Sequence, residues 1–388
     1  MKKSFVHCTL SLRKFFDSSS LWLSMLIGAV GYQLFLPLAP ILPWLIFFML
    51  FFTFCKVDPM DLRLHKWHIV VLALQLFFSF ATYWLTLYLS GNTVLAQGIL
   101  MCFIMPTATA APIIAGKLGG SIQNLTTFTL LSNFATAIIV PATFPLINNN
   151  LELSTFEQLS TLNTQLSTTF WPAFWLILSR VAPLLLGPFF AAWFLRLGYN
   201  FYQRRKYLTG EAGLTAQRSY NDSGLTAEGG HKKEFNLSPG LAQIPFYLWV
   251  ASILVLTAVV TSTIVLEYQS PSTNDHRLTT NILILLVCSF FACLLQFSLG
   301  KLIGWYFPAA SKGRDYQDVL INPAAAPSTM QGVSSITAGQ AFGQKNTSLG
   351  VWMANTYLDP MASLGAAAYI IWQNVFNSAQ LFFAARKK

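Results

Sequence analysis

The sequence predicts an all-α integral membrane protein, and three features of the chain lead to that prediction. The chain of 388 residues is 54% hydrophobic and only 10% charged, with a mean hydropathy of +0.53. It contains many stretches of about 20 mostly apolar residues, the length that a helix needs to cross a bilayer. Its basic residues lie mainly between these stretches. Because a soluble protein of this size cannot bury so much apolar surface, the expected solvent is a bilayer.

Ten stretches are long and apolar enough to form transmembrane helices. They cover residues 20–37, 40–56, 67–89, 94–116, 121–147, 170–196, 241–266, 279–307, 333–356 and 360–384. The preceding segment, 1–19, is basic with interleaved Phe and Leu, which is typical of an amphipathic helix on a membrane surface. No small-residue cleavage site follows, so we expect a retained cytoplasmic segment rather than a signal peptide.

The positions of the basic residues predict which side of the membrane each loop faces. With the N-terminus inside, nearly all of the 24 Lys and Arg residues fall in cytoplasmic segments, whereas Arg277 is outside. This follows the positive-inside rule, and it accounts for the net charge of +10 without a nucleic acid partner. We therefore expect a protein of the inner or plasma membrane with both termini in the cytoplasm.

Two polar segments divide the chain. Residues 148–167 contain acidic residues but no Lys or Arg, which predicts an external loop. Residues 197–240 are basic with Gly and Ser clusters, which predicts a cytoplasmic linker loop. The first five-helix repeat is then 20–147, and the second consists of helix 6 (168–196) and helices 7–10 (241–388). Five helices in each half enter the membrane in opposite senses, as in the inverted repeats of secondary transporters.

The fourth predicted helix of each half is interrupted. In MPTATAAPIIAGKLGG (105–120), Pro106 and Pro112 remove backbone donors and disfavour a continuous helix. In ITAGQAFGQKNTSLG (336–350), glycines and polar residues replace the apolar pattern. Unwound backbone is tolerated in a bilayer only where protein buries it or it lines a cavity, so matched interruptions indicate a transport site. The alternative is that the small residues only allow close helix packing.

Two basic residues fall inside predicted helices. Lys345 lies within the second interruption, and a charge at mid-membrane costs about 2.5–3.5 kcal/mol on insertion scales, so we expect it to have a function. The alternative is that Lys345 snorkels to an interface. Arg180 either faces the cavity and binds an anion, or lies at the outer interface beside Trp171 and Trp175. The sequence leaves these two positions of Arg180 open.

The chain resembles the bile acid:sodium symporter family over most of its predicted helices. The resemblance is clearest in MPTATAAPIIAGKLGGSIQNLTTFTLLSNFATAIIVPATFPLI (105–147), AGQAFGQKNTSLGVWMA (338–354) and LDPMASLGAAAYIIWQN (358–374). It implies ten transmembrane helices in two inverted five-helix repeats, arranged as a panel domain and a core domain. It also implies that helices 4 and 9 are broken where they cross, and that an organic anion is transported, usually with sodium.

The sodium ligands that the resemblance implies are largely missing from this chain. The positions that have lost the family's oxygen ligand are Ala111, Pro112, Leu125, Ala341 and Lys345. The positions that keep one are Gln75, Thr129 and Asn346. Sodium needs a cage of oxygen ligands, ideally with a carboxylate. We therefore expect that sodium coupling is lost and that Lys345, donating to Gln75 Oε1 and to carbonyls at the helix break, replaces the ion.

These observations define a candidate site near the bilayer midplane, where 105–116 meets 339–350. Its predicted substrate- or ion-binding residues are Lys345, Asn346, Gln344, Gln75, Thr129, Thr107, Thr109, Pro112 and Gly343. Lys345 and the N-termini of half-helices make this region electropositive, which favours a small organic anion. The function hypothesis is a secondary transporter that works by alternating access and is proton-coupled or facilitative.

Other classes of function fit less well. A cation/proton antiporter would need a membrane-buried carboxylate, and all 14 Asp and Glu residues fall in loops or at the ends of predicted helices. A non-transporting sensor or scaffold of the same fold would use 197–240 as a partner surface. The sequence has no nucleotide-binding loop, catalytic elbow or metal-ligand spacing of its five cysteines, so we expect no enzyme activity, cofactor or metal. The expected partners are an organic anion, the lipid bilayer and protons.

Overall fold

The computed structural model describes residues 23–55, 62–147, 170–208, 244–269, 275–308 and 326–386. Within these ranges the secondary structure is helical, and two residues on opposite segments form an isolated β-bridge. The all-α prediction is therefore confirmed for these ranges. The predicted N-terminal segment 1–19, the external loop 148–167 and most of the linker 197–240 lie outside them.

The described helices are numbered here in chain order. They are α1 (23–30), α2 (Leu42–Phe54), α3 (Lys66–Ser90), α4 (Thr93–Ile104), α5 (Ala111–Leu118), α6 (Ile122–Ile147), α7 (Phe170–Leu208), α8 (Ile244–Gln269), α9 (Asp275–Tyr306), α10 (Ala326–Gly343), α11 (Thr347–Tyr357) and α12 (Ser363–Arg386). A helical turn, Tyr32–Phe35, and a 3-10 helix, Leu36–Ile41, connect α1 to α2.

Six helical segments in the part of the chain that the structure describes are long and apolar enough to cross a membrane. They are Tyr32–Phe54, Lys66–Ser90, Ile122–Ile147, Phe170–Tyr202, Ile244–Gln269 and Leu278–Tyr306. Long apolar helices of this kind are those of a membrane-embedded protein. The broken pairs α4–α5 and α10–α11 and the final helix α12 are shorter or more polar than these six.

The first two predicted transmembrane helices are connected differently from the prediction. The sequence predicts a break near residues 38–39, but the backbone there forms the 3-10 helix Leu36–Ile41. Pro37 and Pro40 lack a backbone N–H but have a φ that suits a helix, so the chain tightens into a 3-10 helix rather than opening into a loop. One membrane-length segment, Tyr32–Phe54, therefore lies where the sequence predicts parts of two helices.

Helix α7 extends beyond its predicted end. The sequence predicts that helix 6 ends at residue 196, whereas α7 continues to Leu208. Phe201 and Tyr202 in this extension are exposed. The extension contains no proline, so its backbone can continue the helix as far as the start of the glycine-rich segment. Helical structure therefore continues into the first part of the segment that the sequence predicts as a linker.

The helices pack in two groups. Helix α2 packs against α7 and α8, whereas α9 packs against α10 and α12, and α4 packs against α3 and α12. Contacts of α6 with α7 and of α8 with α11 join the two groups. In the second group, a Cβ on Gly300 would lie 2.5 Å from the carbonyl oxygen of Ala338. Such small residues allow α9 and α10 to touch backbone to backbone, as membrane helices often do.

Candidate functional site

The first predicted interruption is a break between α4 and α5. Helix α4 ends at Ile104, and Met105 adopts extended backbone (φ −54°, ψ 137°) because Pro106 follows it. The carbonyls at the end of α4 have no partner within their own helix. The Gln75 side chain on α3 provides one, since its Nε2 donates to Met105 O at 3.0 Å and more weakly to Ile104 O at 3.4 Å.

The second predicted interruption is a break between α10 and α11. Helix α10 ends at Gly343, and Asn346 caps the start of α11 by accepting a hydrogen bond from Leu349 N–H at 3.3 Å. The Gly343 carbonyl accepts a hydrogen bond from the Tyr369 hydroxyl at 2.8 Å. A Cβ at Gly343 would collide with the ring of Phe297, so a glycine is needed for close packing at this point.

The two breaks contact each other through backbone hydrogen bonds. Thr107 and Lys345 form an isolated antiparallel bridge. On its two sides, Ala108 N–H donates to Gln344 O at 3.0 Å, and Asn346 N–H donates to Pro106 O at 2.7 Å. The bridge satisfies backbone groups that the helix ends leave unpaired. Both predicted interruptions are therefore real helix breaks, and they meet at one point in the structure.

A recess lies beside this bridge. Its empty volume, including its opening, is about 360 Å³. Its polar lining consists of Thr109, Gln344, Lys345, Asn346, Thr347, Gln373, Asn374 and Asn377. Its other lining residues are Met49, Ala108, Ala110, Ile114 and Trp249. The N-terminal ends of α5 and α11 both reach the recess, which adds positive electrostatic potential, and no carboxylate belongs to this described lining.

Lys345 is completely buried at the recess. Its exposed fraction is 0%, so the alternative that it snorkels to an interface is wrong. The Lys345 backbone N–H donates to Gln373 Oε1 at 2.9 Å, and its Nζ lies 5.2 Å from the centre of the Phe342 ring. Nζ has no hydrogen-bond acceptor among the residues that the structure describes. An ammonium over an aromatic face is attracted to the ring, but the ring does not replace a hydrogen-bond acceptor.

The predicted hydrogen bond from Lys345 to Gln75 is absent within the described ranges. Gln75 uses its amide N–H groups for the carbonyls at the end of α4, and its Oε1 has no donor among described residues. The prediction was wrong because a glutamine side chain has two possible roles. Its oxygen can accept from a cationic group, or its N–H groups can donate to the carbonyls at a helix end, as they do here. The orientation of an amide depends on which groups the surrounding helices place beside it.

Three N–H donor groups at the recess lack an acceptor. They are Lys345 Nζ, Asn346 Nδ2 and Asn374 Nδ2, each buried and without a partner in the described part of the chain. Buried donors are nearly always paired in folded proteins. Because three residues with such donors line one recess, a group that brings hydrogen-bond acceptors would satisfy them there.

A chain of amide side chains borders the recess. Gln344 Nε2 donates to Asn377 Oδ1 at 3.0 Å and also to Gln340 Oε1. Gln340 Nε2 in turn donates to Gln380 Oε1 at 2.9 Å. These bonds connect α10 with α12 and hold Gln344 in one orientation.

The structure brings together only part of the predicted set. Four predicted residues line the recess, namely Thr109, Gln344, Lys345 and Asn346. The other five lie outside this lining, namely Gln75, Thr107, Pro112, Thr129 and Gly343. Thr107 donates its hydroxyl to Ala341 O at 2.7 Å, and Thr129 donates to Leu125 O of its own helix at 3.0 Å. Pro112 is buried in the first turn of α5.

Several lining residues were not predicted from the sequence. Gln373, Asn374 and Asn377 come from α12, and Met49 and Trp249 come from α2 and α8. The α12 residues left a signal, because amides recur in an apolar segment at positions 373, 377 and 380, which share one helix face. The apolar residues Met49 and Trp249 left none, since they look like ordinary membrane-helix residues.

The positions of the implied sodium ligands form an apolar cluster. Ala111, Leu125 and Ala341 each have an exposed fraction of 0% and belong to one hydrophobic cluster, which also contains Phe128 and Phe342. Hydrocarbon side chains provide no oxygen ligands for sodium. The side chains at these positions therefore pack against one another.

Arg180 does not belong to the recess. It is exposed on α7, as are Trp171 and Trp175 on the same helix. Of the two positions that the sequence left open, the structure supports the surface position. Its electrostatic influence reaches Tyr357 at the end of α11.

Comparison with known proteins adds no family assignment. No protein-family model matches the chain, and no curated protein matches it. The geometry and chemistry of the recess are therefore the basis for a functional hypothesis.

Proposed function

We propose that the protein is a secondary transporter of a small organic anion that works by alternating access. One observation carries the proposal: three residues that line a recess at the meeting point of two broken helices have buried N–H donors without an acceptor in the described part of the chain. The donors favour a ligand with oxygen acceptors, and Lys345 and two helix N-termini favour a negative one.

The broken helices support transport rather than simple anion binding. A membrane-embedded chain keeps unwound backbone only where it is buried in protein or lines a cavity, and paired broken helices are typical of secondary transporters. Met49 and Trp249 support the same proposal, because they belong to helices that pack in the other group. When one group rocks against the other, a site lined by both groups opens to one side of the membrane and closes to the other.

The proposed architecture has ten transmembrane helices in two inverted five-helix repeats. The group α2, α7 and α8 corresponds to the panel domain, and the group with the broken helices corresponds to the core domain. This arrangement is that of the bile acid:sodium symporter family, which the chain resembles in sequence. The proposal treats the helical run 23–54 as two membrane passages joined at its 3-10 segment.

We further propose that the protein does not use sodium. The apolar cluster around Ala111, Leu125 and Ala341 supports this, since it fills with hydrocarbon the positions where the resemblance implies oxygen ligands. Lys345, buried at the same pair of helix breaks, replaces the ion with a tethered amine. Transport is then proton-coupled or facilitative.

Two alternatives have weaker support. A cation/proton antiporter needs a buried carboxylate, and none lines the recess among the described residues. A non-transporting sensor or scaffold of the same fold accounts for the buried lysine as a fixed contact between the breaks. It does not account for the amide donors of Asn346 and Asn374 in the same lining, which have no acceptor among the described residues.

Uptake into liposomes tests the proposal. The purified protein is reconstituted and screened with labelled organic anions, with and without an imposed sodium or proton gradient. We expect uptake of at least one small carboxylate without sodium, reduced at least tenfold by Lys345→Ala, because the variant removes the only charged side chain in the described lining.

Lys117→Ala is the matched control, because Lys117 is exposed at the end of α5. It should leave uptake unchanged. Uptake that strictly requires sodium would contradict the proposed role of Lys345. Uptake of none of the anions would favour the sensor or scaffold alternative.

A further inference from the structure

We propose that Lys345 carries the transported proton, so that the substrate is a monocarboxylate that crosses the membrane together with one proton and without net charge. This inference rests on the proposed function and specifies the substrate class and the coupling of the same site. It is argued from the surroundings of the amine, the charge balance and the number of donors.

The surroundings of Lys345 contain no counter-ion among the described residues. The nearest titratable side chain with a known contact at the break is Tyr369, which donates its hydroxyl to the Gly343 carbonyl. The charged residues on the elements packed around the break occur near helix ends, namely Lys66, Lys117, Glu267, Asp275, Arg277, Lys301, Asp359 and Arg386. Other titratable residues on these elements include His68, Tyr83, Cys102 and Cys293. The ring nitrogens of His68 are bonded to His65 N–H and Asn124 O, away from the recess.

The charge balance follows from this environment. A buried ammonium without a counter-ion is so costly that such a group releases its proton instead. A carboxylate in the same recess beside a neutral amine is also an unpaired buried charge. Together, the carboxylate and a proton form a hydrogen-bonded ammonium–carboxylate pair of zero net charge, which is the least costly loaded state.

The loading step is therefore a coupled binding event. A carboxylate R–COO⁻ and one proton combine with the neutral amine of Lys345 to give R–COO⁻ bound to Lys–NH₃⁺. On the other side of the membrane the carboxylate and the proton leave, and the neutral amine returns. No covalent bond to the substrate forms, and the loaded and unloaded sites carry the same net charge.

The donors at the recess match one carboxylate. Lys345 Nζ, Asn346 Nδ2 and Asn374 Nδ2 are donors on residues of one lining, and a carboxylate brings two oxygens that accept hydrogen bonds. A second carboxylate on the substrate would have no cationic partner in the described lining and would leave a buried negative charge. Met49, Ile114 and Trp249 are apolar members of the same lining, which favours a substrate whose remaining part is uncharged.

The test uses the full-length protein in liposomes, with labelled pyruvate and phenylpyruvate as monocarboxylates and labelled succinate as a dicarboxylate. A gradient of one pH unit corresponds to about 1.4 kcal/mol per proton, hence to about tenfold accumulation of a substrate that moves with one proton. We expect an inward proton gradient to give up to this accumulation of a monocarboxylate. A potassium diffusion potential set with valinomycin should change the rate less than twofold, and succinate should not accumulate.

Substitutions at Lys345 separate binding from proton coupling. Lys345→Arg keeps a positive group that does not release its proton. It should therefore retain exchange of labelled for unlabelled substrate but lose net uptake driven by a proton gradient. Lys345→Met should lose both, and Lys117→Arg, on the exposed end of α5, should lose neither.

A second measurement does not depend on how the variants fold. Adding pyruvate or phenylpyruvate to the wild-type protein in weakly buffered detergent should raise the pH of the solution, with one proton taken up per bound substrate. Binding without proton uptake would overturn the inference. Uptake driven by the membrane potential and insensitive to the proton gradient would also overturn it.

The outcomes distinguish this inference from the proposed function. If the wild-type protein exchanges a monocarboxylate but accumulates it with the membrane potential, only the inference of a proton on Lys345 fails. Accumulation driven by sodium would overturn both this inference and the proposed absence of sodium coupling. If the protein accumulates succinate as well as pyruvate, the inference of one carboxylate fails. If no organic anion is exchanged or accumulated, the proposed function fails, and this inference fails with it.

Discussion

His65 and His68 stabilise the start of the long helix α3. His65 N–H donates to His68 Nδ1 at 3.0 Å, and the His65 side chain accepts a hydrogen bond from His68 N–H. His68 is fully buried, and its Nε2 lies 3.0 Å from Asn124 O, which places the ring proton on Nε2. The two histidines are spaced i, i+3 and share one helix face. Protein groups bond to both ring nitrogens of His68, which therefore caps the helix and connects it to α6.

At the residue scale, we predict that His65 makes stability depend on pH. Burial lowers the pKa of His65, a hydrogen bond with Asn124 opposes this effect, and the charge of Arg63 lowers the pKa further. The ordinary pKa of a histidine, about 6.5, applies to the unfolded chain. As the pH falls below that value, the unfolded chain binds a proton before the folded protein does. The contribution of neutral His65 to the stability of the folded protein is therefore complete above about pH 6.5. It is lost as the pH falls through the pKa of His65 in the folded protein.

The measurement is the thermal unfolding midpoint in detergent between about pH 5 and pH 8. His65→Asn keeps an N-cap acceptor that does not titrate, so its midpoint should fall less on acidification than that of the wild type. Equal pH dependence of the two proteins would contradict the prediction.

The broken helices are brought together by small residues on their neighbours. A Cβ on Gly365 in α12 would collide with the carbonyl of Gly98 in α4, and one on Gly350 in α11 would collide with the side chain of Met105. These contacts set how closely α12 and α11 approach the first break. Close packing of small residues, which the sequence left open as an alternative, therefore occurs at Gly350, and the same packing also positions the polar residues of the recess.

At the element scale, we predict that Gly365→Ala destabilises the protein. The added methyl group has no room against the Gly98 carbonyl, and overpacking of this kind costs about 1–3 kcal/mol. Gly198→Ala in α7 is the matched control, because a Cβ there would meet nothing within 4 Å. The measurement is the unfolding midpoint of both variants in detergent. A Gly365→Ala variant as stable as Gly198→Ala would show that α4 and α12 do not cross as closely as described.

Across the whole molecule, the recess draws its lining from segments distant in the sequence. The two breaks provide its centre, α12 provides three amides, and α2 and α8 provide Met49 and Trp249. The first group of helices therefore reaches the site through apolar side chains, whereas the second group provides the polar ones. In the proposed transport cycle, the two groups of helices slide past each other along apolar surfaces, which breaks few hydrogen bonds. The polar residues of the recess therefore keep their contacts while the side of the membrane to which the recess opens changes.

At the scale of the whole molecule, we predict that both termini face the cytoplasm, because the positive-inside rule places most Lys and Arg residues there. Single cysteines at positions 3, 277 and 388 are labelled with an impermeant maleimide in intact cells, in a background without the five native cysteines. Position 277 should react from outside, and positions 3 and 388 only after permeabilisation. Termini on opposite sides would mean an odd number of membrane passages, and the helical run 23–54 would then cross the membrane once.

The sequence by itself determined the features that depend on local chemistry. Hydropathy identified an all-α membrane protein, since a run of about 20 apolar residues is the length of a helix that crosses a bilayer. Pro106, Pro112 and Gly343 identified the two helix breaks, because proline and glycine act on the backbone where they occur. Lys345 was singled out for the same reason, as a charge in apolar surroundings. The 3-10 connection between α1 and α2 was missed, because proline is compatible both with a loop and with a tight helix.

Only the tertiary structure decided which groups meet. In it, Thr107 pairs with Lys345, and Gln75 bonds to the end of α4. Gln373 and Asn374 line the recess, whereas Thr129 lies outside it. An amide can donate or accept, and it does so toward whichever group the packed helices place beside it. That choice depends on contacts between residues far apart in the chain, which neither periodicity nor composition encodes.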